Sequence, residues 1–409
     1  MAGFFDSVGK SESSTYESSI PKCGACGLYK TCDTPKMPVY GKGGKRILLV
    51  GSSPSYEEDV RGEHMVSTHH KRISGSLSDV GVDSYHDCWK TNSIICRSFV
   101  ANQEAKDRVP TGKEVGYCRP NLNRVIKDLK PTVIIPMGQQ AVESVLGPSW
   151  GEKVGQMKRW VGWRIPSQRH NAWVCPNFDP ENVLTAVDKD REGPVWGLLF
   201  DRYIKQAVEV CESQPYTKVP DYRKSVEVIL DPQQAAKRLK GIFKAGKAFT
   251  FDYETNRLKP DHPDSEIVCC SVSNGDETIS YPWVGAAITA TYKLLSSSLP
   301  KLGANIKFEA RWTLAILDLK IRNWKWDSMI SAHHLDCRRN ITSVKFQALV
   351  RLGQDNWSKD ISPFLESSDA NGFNRIREVD MRKLLMYCGL DALLEYLLCQ
   401  LQRKEMLGK

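Results

Sequence analysis

Two short apolar segments that each end in a turn glycine constrain the first half of this chain more than any other feature. Residues 45–51 (KRILLVG) and 131–138 (PTVIIPMG) both have the continuous apolar run of a strand that is buried on its two faces. A charged, helix-like segment at 113–130 separates them, and strands that alternate with helices form mostly parallel sheets. The sequence therefore predicts an α/β fold here, with ligands at the carboxyl ends of the strands, where Gly51 and Gly138 lie.

The second half of the chain opens with strand-like segments at 226–230, 248–255 and 266–273. A hairpin-type turn at Asn274-Gly275 follows the last of them, so we predict a mixed sheet whose opening strands are antiparallel. Residues from about 289 to 403 are predicted to be mostly helical.

Composition along the chain predicts its domain organisation. Residues 1–20 are polar and Ser-rich and lack the apolar core of a secretory signal, so they are predicted to form a mobile tail. Residues 185–213 show the apolar face of one helix. The polar segment 214–224 contains two prolines and is predicted to link a domain at 21–213 to a domain at 225–409.

Overall composition excludes several classes of protein. Hydrophobic residues make up 41% and charged residues 26% of the chain, which excludes wholesale disorder and a coiled coil. No uninterrupted apolar stretch approaches the ~20 residues that span a membrane, so no membrane partner is expected. The formal net charge of +9 is compatible with DNA binding and equally with a solvated basic surface. Without a secretory signal, the protein is expected to be cytoplasmic.

The thirteen cysteines are better suited to metal ligation than to a disulfide framework, which long cytosolic chains rarely carry. Cys23 and Cys26 form a CxxC pair before the first predicted strand. Cys96 follows a strand-like segment, and Cys118 lies near the start of a predicted helix. Four thiolates from separated segments suit either zinc or a 4Fe–4S cluster, with Cys32 as a spare candidate. The spacing alone leaves both groups open, together with unliganded thiols around a core.

Four motifs follow one another in the first half: the CxxC pair, VGSSPSYEEDVRGEHMVS (50–67), TNSIIC (91–96) and YCRPNL (117–122). In this order they resemble the iron–sulfur family 4 uracil-DNA glycosylases. The resemblance covers about residues 21–185 and implies a three-layer α/β domain in which Asn92 reads the edge of an extruded base. It also implies a 4Fe–4S cluster in preference to zinc. The implied cluster ligands are Cys23, Cys26, Cys96 and Cys118.

The sequence departs from that family at the base pocket. Ser52 replaces an acidic residue, Met65 replaces the phenylalanine that stacks on the uracil, and Asp179 replaces the histidine of a His-Pro-Ser motif. An anionic carboxylate beside a departing uracil anion raises the barrier, because like charge opposes the reaction there. We therefore predict weak or absent uracil excision by a domain that still contacts DNA. A pocket adapted to a different base is the alternative.

Two pairs of side chains in the second half are placed for metal chemistry. Asp252 and Glu254 alternate along a predicted strand, so their carboxylates share one face and make a divalent cation site. Tyr387 and Asp391, within YCGLD, are four residues apart on a predicted helix and also share a face. Glu309 ends the segment LGANIKFE, which lies between the two pairs.

In this order the five side chains resemble the DEDD-type 3′–5′ proofreading exonuclease of A-family DNA polymerases, in its tyrosine variant, over about residues 225–403. The resemblance implies a ribonuclease H-like α/β fold and hydrolysis of phosphodiesters with two Mg²⁺ or Mn²⁺ ions. The implied direct ligands are Asp252, Glu254 and Asp391. Glu309, an aspartate in the family, would act on the second ion, and Tyr387 would orient or help to deprotonate the attacking water.

The same resemblance implies that Asn305 and Phe308 contact the 3′-terminal nucleotide of single-stranded DNA, although Phe308 suits a core position equally well. The order of the two domains resembles the amino-terminal half of some bacteriophage A-family polymerases. The chain is therefore expected to be either a split proofreading subunit with a separate polymerase partner or a fragment of a longer polymerase. A phage-encoded chain would act in the host cytoplasm. Two alternatives stay open: an active glycosylase fused to an exonuclease, and a non-catalytic module that docks a polymerase or a host protein.

Overall fold

The computed structural model of the protein describes residues 20–100, 103–151, 153–189, 193–213, 219–369 and 371–408. The chain divides into two compact units, Met1–Thr217 and Lys218–Lys409. The predicted tail, apart from Ile20, lies outside the described residues, and so do residues 214–218 of the predicted linker. Both units are built on sheets with helices against them, and the predicted α/β fold class is confirmed for each.

The first unit contains a five-stranded sheet and a two-stranded ribbon. In chain order the strands are β1 (Ile47–Gly51), β2 (Cys88–Asn92), β3 (Phe99–Val100), β4 (Gln103–Asp107), β5 (Val133–Pro136), β6 (Ile165–Ser167) and β7 (Ala172–Val174). The sheet has the order β2-β1-β5-β7-β6, and β3 pairs with β4 in the ribbon. Strands β2, β1, β5 and β7 are parallel, whereas β6 runs antiparallel to β7.

Helices cover both faces of this sheet. They are α1 (Cys23–Cys26), α2 (Tyr56–Arg61), α3 (Thr68–Ser78), α4 (Gly112–Leu129), α5 (Gln139–Trp150), α6 (Pro180–Lys189) and α7 (Gly193–Ser213). Ile47 and Leu49 point to the core formed with α3, α6 and α7, while α5 contacts β1 and β5 and packs against α4. The result is the predicted three-layer arrangement. The single helix predicted over 185–213 is wrong, because two helices, α6 and α7, occupy this region.

The second unit contains a six-stranded mixed sheet. Its strands are β8 (Glu227–Val228), β9 (Phe249–Thr255), β10 (Ile267–Ser273), β11 (Thr278–Pro282), β12 (Lys301–Gly303) and β13 (Trp324–Asp327), in the order β13-β12-β9-β10-β11-β8. Strand β10 is antiparallel to both of its neighbours, and the predicted hairpin joins it to β11. Strands β12 and β13 continue the sheet in parallel with β9, which gives the predicted ribonuclease H-like order. Residues 289–403 are mostly helical, as predicted, and β12 and β13 are the two short strands of this range.

The helices of the second unit are α8 (Pro232–Ala245), α9 (Ala286–Leu295), α10 (Lys307–Leu317), α11 (Ser328–Leu335), α12 (Val344–Gln347), α13 (Ser362–Leu365) and α14 (Met381–Leu407). Short 3₁₀ turns lie at Leu28–Lys30, Met157–Arg159, Tyr222–Ser225 and Ile376–Glu378, and a π-helical turn at Ala348–Leu352 follows α12. These segments complete the helical structure within the described ranges.

Helix α14 packs across β9, β10 and β11 as the central helix of the second unit. Its close approach depends on Gly389, where an added Cβ would lie 2.3 Å from the Val226 Cγ1 atom. By length and composition α14 could cross a membrane, but 72% of its most apolar window is buried inside the unit. The helix therefore has the surroundings of a core helix.

Candidate functional site

Strand β9, at the centre of the second sheet, carries the first two predicted acids. Asp252 and Glu254 pair in register with Ser271 and Cys269 of β10. Because successive side chains alternate between faces, both carboxylates point to the same face of the sheet. Helix α14 packs against β9, so acids from separate parts of the chain can meet here.

Helix α14 brings Tyr387 and Asp391 to the same region. The Thr250 hydroxyl of β9 donates a hydrogen bond of 2.7 Å to the Ala392 carbonyl oxygen and so holds the helix against the strand. Tyr387 is 6% exposed and Asp391 is 6% exposed, which places both side chains inside the unit. The predicted four-residue spacing therefore puts both residues beside the acids of β9.

Three side chains in this region are close enough to share one cation. Asp252, Glu254 and Cys388 each offer a ligand atom within 4.8 Å of the other two. The Cys388 Sγ atom lies 3.6 Å from Asp252 Oδ2. Among the residues that the structure describes, no other group of three histidine, cysteine or acidic side chains has this spacing. Cys388 was not predicted, although it directly follows Tyr387 in the motif.

Two further carboxylates present unpaired oxygen atoms at the site. Glu309, in the first turn of α10, is 5% exposed, and its Oε2 atom has no hydrogen-bond partner. Asp391 Oδ1 is likewise buried without a partner. A buried charged oxygen without a partner is costly, so these atoms fit a bound cation. The donor set, which consists mainly of carboxylates, has the chemistry that Mg²⁺ and Mn²⁺ prefer.

Burial and mutual repulsion act on the protonation of these acids. Burial, reinforced by the charge of Asp391, raises the pKa of Asp252 to about 7. Burial and the charge of Asp252 raise the pKa of Glu254 and of Glu309 well above the usual range. Positive charge stabilises the ionised form of a carboxylate, so a divalent cation would counter all three effects.

Two charged residues at this site were not predicted. The Lys345 ammonium donates a hydrogen bond of 2.7 Å to Asp391 Oδ2 and lies 4.8 Å from the centre of the Tyr387 ring. Nothing in the local sequence indicates this contact, because it depends on how α12 folds against α14. Glu395 is 5% exposed and lies one helical turn after Asp391. Its four-residue spacing from Asp391 was a signal that could have found it.

The predicted nucleotide contacts lie at the start of α10. Asn305 is exposed and has a left-handed backbone with φ of 56°. Its N–H group and that of Ile306 donate to the Asp327 carboxylate, at 3.2 and 3.1 Å. Phe308 is half-buried against the core, with its ring 6.2 Å from that of Trp312. Contact of Asn305 or Phe308 with a nucleotide stays a prediction.

The four predicted cysteine ligands of the first unit line one cavity. Helix α1 supplies two of them and packs against α4, which supplies the third. The fourth follows β2. The cavity-lining cysteines are Cys23, Cys26, Cys96 and Cys118. Cys32 is not part of this lining; its thiol is hydrogen-bonded to that of Cys96.

Backbone N–H groups lie against three of these sulfur atoms. The pairs are Lys36 with Cys96 (3.3 Å), Leu28 with Cys26, and Ile95 with Cys118. Burial raises the pKa of the Cys118 thiol to about 11, and the backbone contact opposes this shift. N–H donors stabilise thiolates and are typical of the surroundings of iron–sulfur clusters. The residues present therefore fit a thiolate-bound group.

Zinc and a 4Fe–4S cluster require different spacings of the thiols that hold them. Zn–S bonds of about 2.3 Å in a tetrahedron bring the sulfur atoms within about 3.8 Å of one another. Within the described ranges, the cysteines do not form a group whose ligand atoms all lie within 4.8 Å. The choice between zinc and a 4Fe–4S cluster stays a prediction.

A second cavity of the first unit opens at the carboxyl ends of β1 and β5. Gly51, Met137, His70 and Asp179 are among the residues that line it. The Ser67 hydroxyl lies 2.6 Å from His70 Nδ1, and the Asp179 carboxylate accepts a hydrogen bond of 2.9 Å from the Glu181 N–H at the start of α6. Burial raises the pKa of Asp179. The cavity occupies the position predicted for a ligand.

Asn92, which is predicted to contact a base, and Met65, which replaces the family's stacking phenylalanine, lie beside Gly51 of this cavity. Asn92 is 2% exposed, and its Nδ2 atom lies 3.0 Å from His64 Nδ1. Met65 is 4% exposed and belongs to the core. An added Cβ at Gly51 would lie 2.3 Å from Asn92 Oδ1 and 3.5 Å from Met65 Cε, so both side chains lie directly beside this glycine. Contact of Asn92 with a base stays a prediction.

Sequence comparison assigns the first unit. Residues 38–196 match the Uracil DNA glycosylase superfamily. The type-4 uracil-DNA glycosylase of Pyrobaculum aerophilum is 31% identical over 171 residues, which are 40% of this chain and 81% of that protein. The chain belongs to the uracil-DNA glycosylase superfamily. The type-4 enzyme of Archaeoglobus fulgidus is also 31% identical, over 126 residues that cover 31% of this chain and 59% of that protein.

Membership of the glycosylase superfamily rests on the first unit, which we call the glycosylase-family unit.

Among solved structures, the chain is similar to the catalytic core of RRP6 from Trypanosoma brucei, with a TM-score of 0.35, 13% identity, and coverage of 45% of this chain and 48% of that one. It is also similar to Escherichia coli RNase D, an exoribonuclease, with a TM-score of 0.31, 12% identity, and coverage of 45% of each chain. Similarities at this level assign neither activity nor substrate to the second unit.

Proposed function

We propose that the second unit is a metal-dependent 3′–5′ exonuclease that acts on DNA. The observation that supports this most strongly is the convergence of acids on β9, α10 and α14, with unpaired buried oxygens on Glu309 and Asp391. Such a carboxylate cluster is built for divalent cations that act on phosphates. DNA is the proposed substrate because the glycosylase-family unit has DNA glycosylases as relatives.

In this proposal, bound divalent ions would supply positive charge to the attacking and leaving oxygens. Asp252, Glu254 and Asp391 would hold them directly, with Glu309 completing the set. The attacking water forms a bond to phosphorus and releases one proton to solvent, the bond from phosphorus to the 3′ oxygen of the shortened strand breaks, and that oxygen takes up a proton from solvent. Burial and the charge of Asp391 raise the pKa of Tyr387 well above the usual range. Tyr387 would orient or help to deprotonate the attacking water.

Replacing Glu309 with Asp is expected to slow the shortening of a 5′-labelled strand about 10-fold, or about 1.4 kcal/mol. The shorter side chain withdraws the carboxylate from a site that Glu309 reaches from α10, and it leaves a void in a buried position. The wild type and the variant would be compared on DNA and RNA strands of equal sequence with Mg²⁺. Glu378→Asp, at an exposed position, is the matched control. A faster Glu309→Asp enzyme would show that the longer side chain is a handicap.

For the glycosylase-family unit, we propose DNA contact with weak or absent uracil excision. Met65 lies in the core where the family's stacking ring is expected, and Asp179 presents a carboxylate in the cavity at the strand ends. An active glycosylase, or one adapted to another base, is the competing function.

Uracil-containing DNA incubated with the protein and then treated with alkali is expected to show no more breaks than uracil-free DNA. The physical reason is the missing stacking surface together with the unfavourable charge of Asp179 beside a departing anion. The fraction of strands that break at uracil, resolved on sequencing gels, measures this directly. Breaks at uracil that disappear in Asn92→Ala would establish the competing function.

We further propose that the chain serves proofreading in phage DNA replication, either with a separate polymerase subunit or as part of a longer polymerase, in the host cytoplasm. The order of a glycosylase-family unit and an exonuclease-like unit supports this. Co-purification with a polymerase, or extension assays in which added chain lowers misincorporation, would test it.

A further inference from the structure

Glu395 is a buried acid beside the candidate metal site of the second unit. It lies on α14, one helical turn after Asp391, and is 5% exposed. Among the described residues, no hydrogen-bond donor and no basic side chain pairs with its carboxylate. A buried carboxylate without a partner costs free energy, and an ion or a catalytic role commonly accounts for one. Glu395 therefore calls for a positive partner.

The contacts of α14 on either side of Glu395 show which part of the sheet this acid faces. Three residues before it, the Ala392 carbonyl oxygen accepts a hydrogen bond of 2.7 Å from the Thr250 hydroxyl of β9. Four residues after it, the Cys399 sulfur accepts from the Gly303 N–H at the end of β12. Glu395 is midway between these contacts. It therefore lies between the acids of β9 and the turn that leads from β12 into α10.

Helix α10 carries Glu309, the second buried glutamate in this region. The Glu309 Oε2 atom has no hydrogen-bond partner. Burial, followed by the charges of Glu309 and Asp252, raises the pKa of Glu395 well above the usual range. Glu309 thus acts on Glu395 more strongly than any other acid does. Two glutamates from different helices, both without a partner, are neighbours at one edge of the site.

Asp327 shows the contrast with an acid that has all its partners. Its carboxylate accepts from four backbone N–H groups, and so caps α11 and fixes the turn before α10. The donors, at 2.9 to 3.2 Å, are the N–H groups of Asn305, Ile306, Met329 and Ile330. Asp327 is therefore occupied by the backbone, whereas Glu309 and Glu395 present oxygens that an ion can use.

The charges at the site agree with two divalent ions only when Glu395 is included. Five buried carboxylates and the Lys345 ammonium leave four negative charges when all are ionised. The carboxylates are those of Asp252, Glu254, Glu309, Asp391 and Glu395. Two divalent ions balance these charges before DNA enters, and without Glu395 they would leave one positive charge uncompensated. Uncompensated buried charge is costly, so Glu395 fits a two-ion site.

We propose that Glu395 is a ligand of the second divalent ion, which it holds together with Glu309. The β9 acids and Asp391 Oδ1 then serve the first ion. Each ion thus draws on a carboxylate of α14, from Asp391 or from Glu395. This inference rests on the proposed exonuclease function, and it adds one residue to the metal ligands of that site.

Counting bound Mn²⁺ by electron paramagnetic resonance on the full chain tests this ligand. Ions bound elsewhere are subtracted with the variant that combines Asp252→Asn and Glu254→Gln. We expect two site ions per wild-type chain and one in Glu395→Gln, because the second ion binds at least ~10-fold more weakly without its ligand. Glu405→Gln, at an exposed position of the same helix, is expected to keep two. One ion in the wild type, or two in Glu395→Gln, would overturn the proposal.

Melting temperatures distinguish an ion ligand from an acid with a structural role. In EDTA, Glu395→Gln is expected to melt at or above the wild-type temperature, because the change removes a buried carboxylate without a partner. Added Mn²⁺ should raise the melting temperature of the wild type more than that of the variant. A variant that melts lower in EDTA and keeps the full Mn²⁺ effect would show that Glu395 only supports the fold.

The Mg²⁺ requirement of cleavage separates this inference from the proposed exonuclease. Glu395→Gln is expected to need at least ~10-fold more Mg²⁺ for half-maximal shortening of a 5′-labelled strand, and Glu405→Gln is expected to need no more than the wild type. A wild type that binds two ions but never shortens DNA would refute the exonuclease and leave the ligand role. An active wild type whose Mg²⁺ requirement is unchanged by Glu395→Gln would refute only the role of Glu395.

Discussion

Replacing Asp252 with Asn is expected to slow Mg²⁺-dependent shortening of single-stranded DNA by at least ~10³-fold, about 4 kcal/mol of transition-state stabilisation. Asn keeps the size of the side chain and removes the charge that the shared cation position requires. The electrostatic contribution of a bound ion to phosphoryl transfer is of this order. Rates from 5′-labelled strands resolved on gels measure the effect. Asp264→Asn, on an exposed loop of the same unit, is expected to keep wild-type rates.

The stability of Asp252→Asn separates lost chemistry from lost folding. The pKa of Asp252 is raised to about 7 in the folded protein from an ordinary value of 3.8. An acid with a raised pKa costs stability as the pH rises above its unfolded value, and the full cost is reached above the folded value. With EDTA present, the melting temperature of the wild type should therefore fall between about pH 5 and pH 8 more than that of the variant. A variant that is inactive and also melts far below the wild type at pH 8 would count against a catalytic role.

The site illustrates what local sequence can and cannot predict. Side chains two residues apart share a strand face, and side chains four residues apart share a helix face. The pair Asp252 and Glu254 and the pair Tyr387 and Asp391 could therefore each be predicted from local spacing. That the pairs meet follows from α14 packing on β9, which the ordered motifs indicated. Lys345 was missed because its position depends on tertiary contacts of a four-residue helix.

The fold shows the same division between strong and weak signals. Continuous apolar strands such as β1 and β5 were predicted from their residues, because burial on both faces requires such runs. Strands β12 and β13 have three and four residues, and the apolar–polar alternation of β13 (WKWD) is too short to indicate a strand by itself. Their place in the sheet is set by pairing with β9 and with each other. The boundary between α6 and α7 had a signal in Gly193-Pro194, a pair that interrupts a helical pattern.

The 4Fe–4S cluster that the sequence predicts for the glycosylase-family unit is expected to be lost when Cys118 is replaced with Ser. The Cys118 sulfur lines the cavity shared with Cys23, Cys26 and Cys96, and a serine hydroxyl is a poor substitute for a thiolate at iron. Loss of a bound metal group is among the substitutions that cost about 4 kcal/mol or more, so the melting transition of this unit should fall by about 8–16 °C. Iron analysis and absorbance near roughly 400 nm measure the cluster itself.

Cys32→Ser provides the matched control for this experiment, because Cys32 is hydrogen-bonded to Cys96 but does not line the cavity. It is expected to keep the iron content and absorbance of the wild type. If Cys32→Ser lost the cluster while Cys96→Ser retained it, Cys32 and not Cys96 would be the fourth ligand. Zinc in place of iron in protein prepared without oxygen would instead show that the wide thiol spacing closes around a single ion. Iron retained only when Cys23, Cys26, Cys96 and Cys118 are all present would establish that these four side chains hold the cluster.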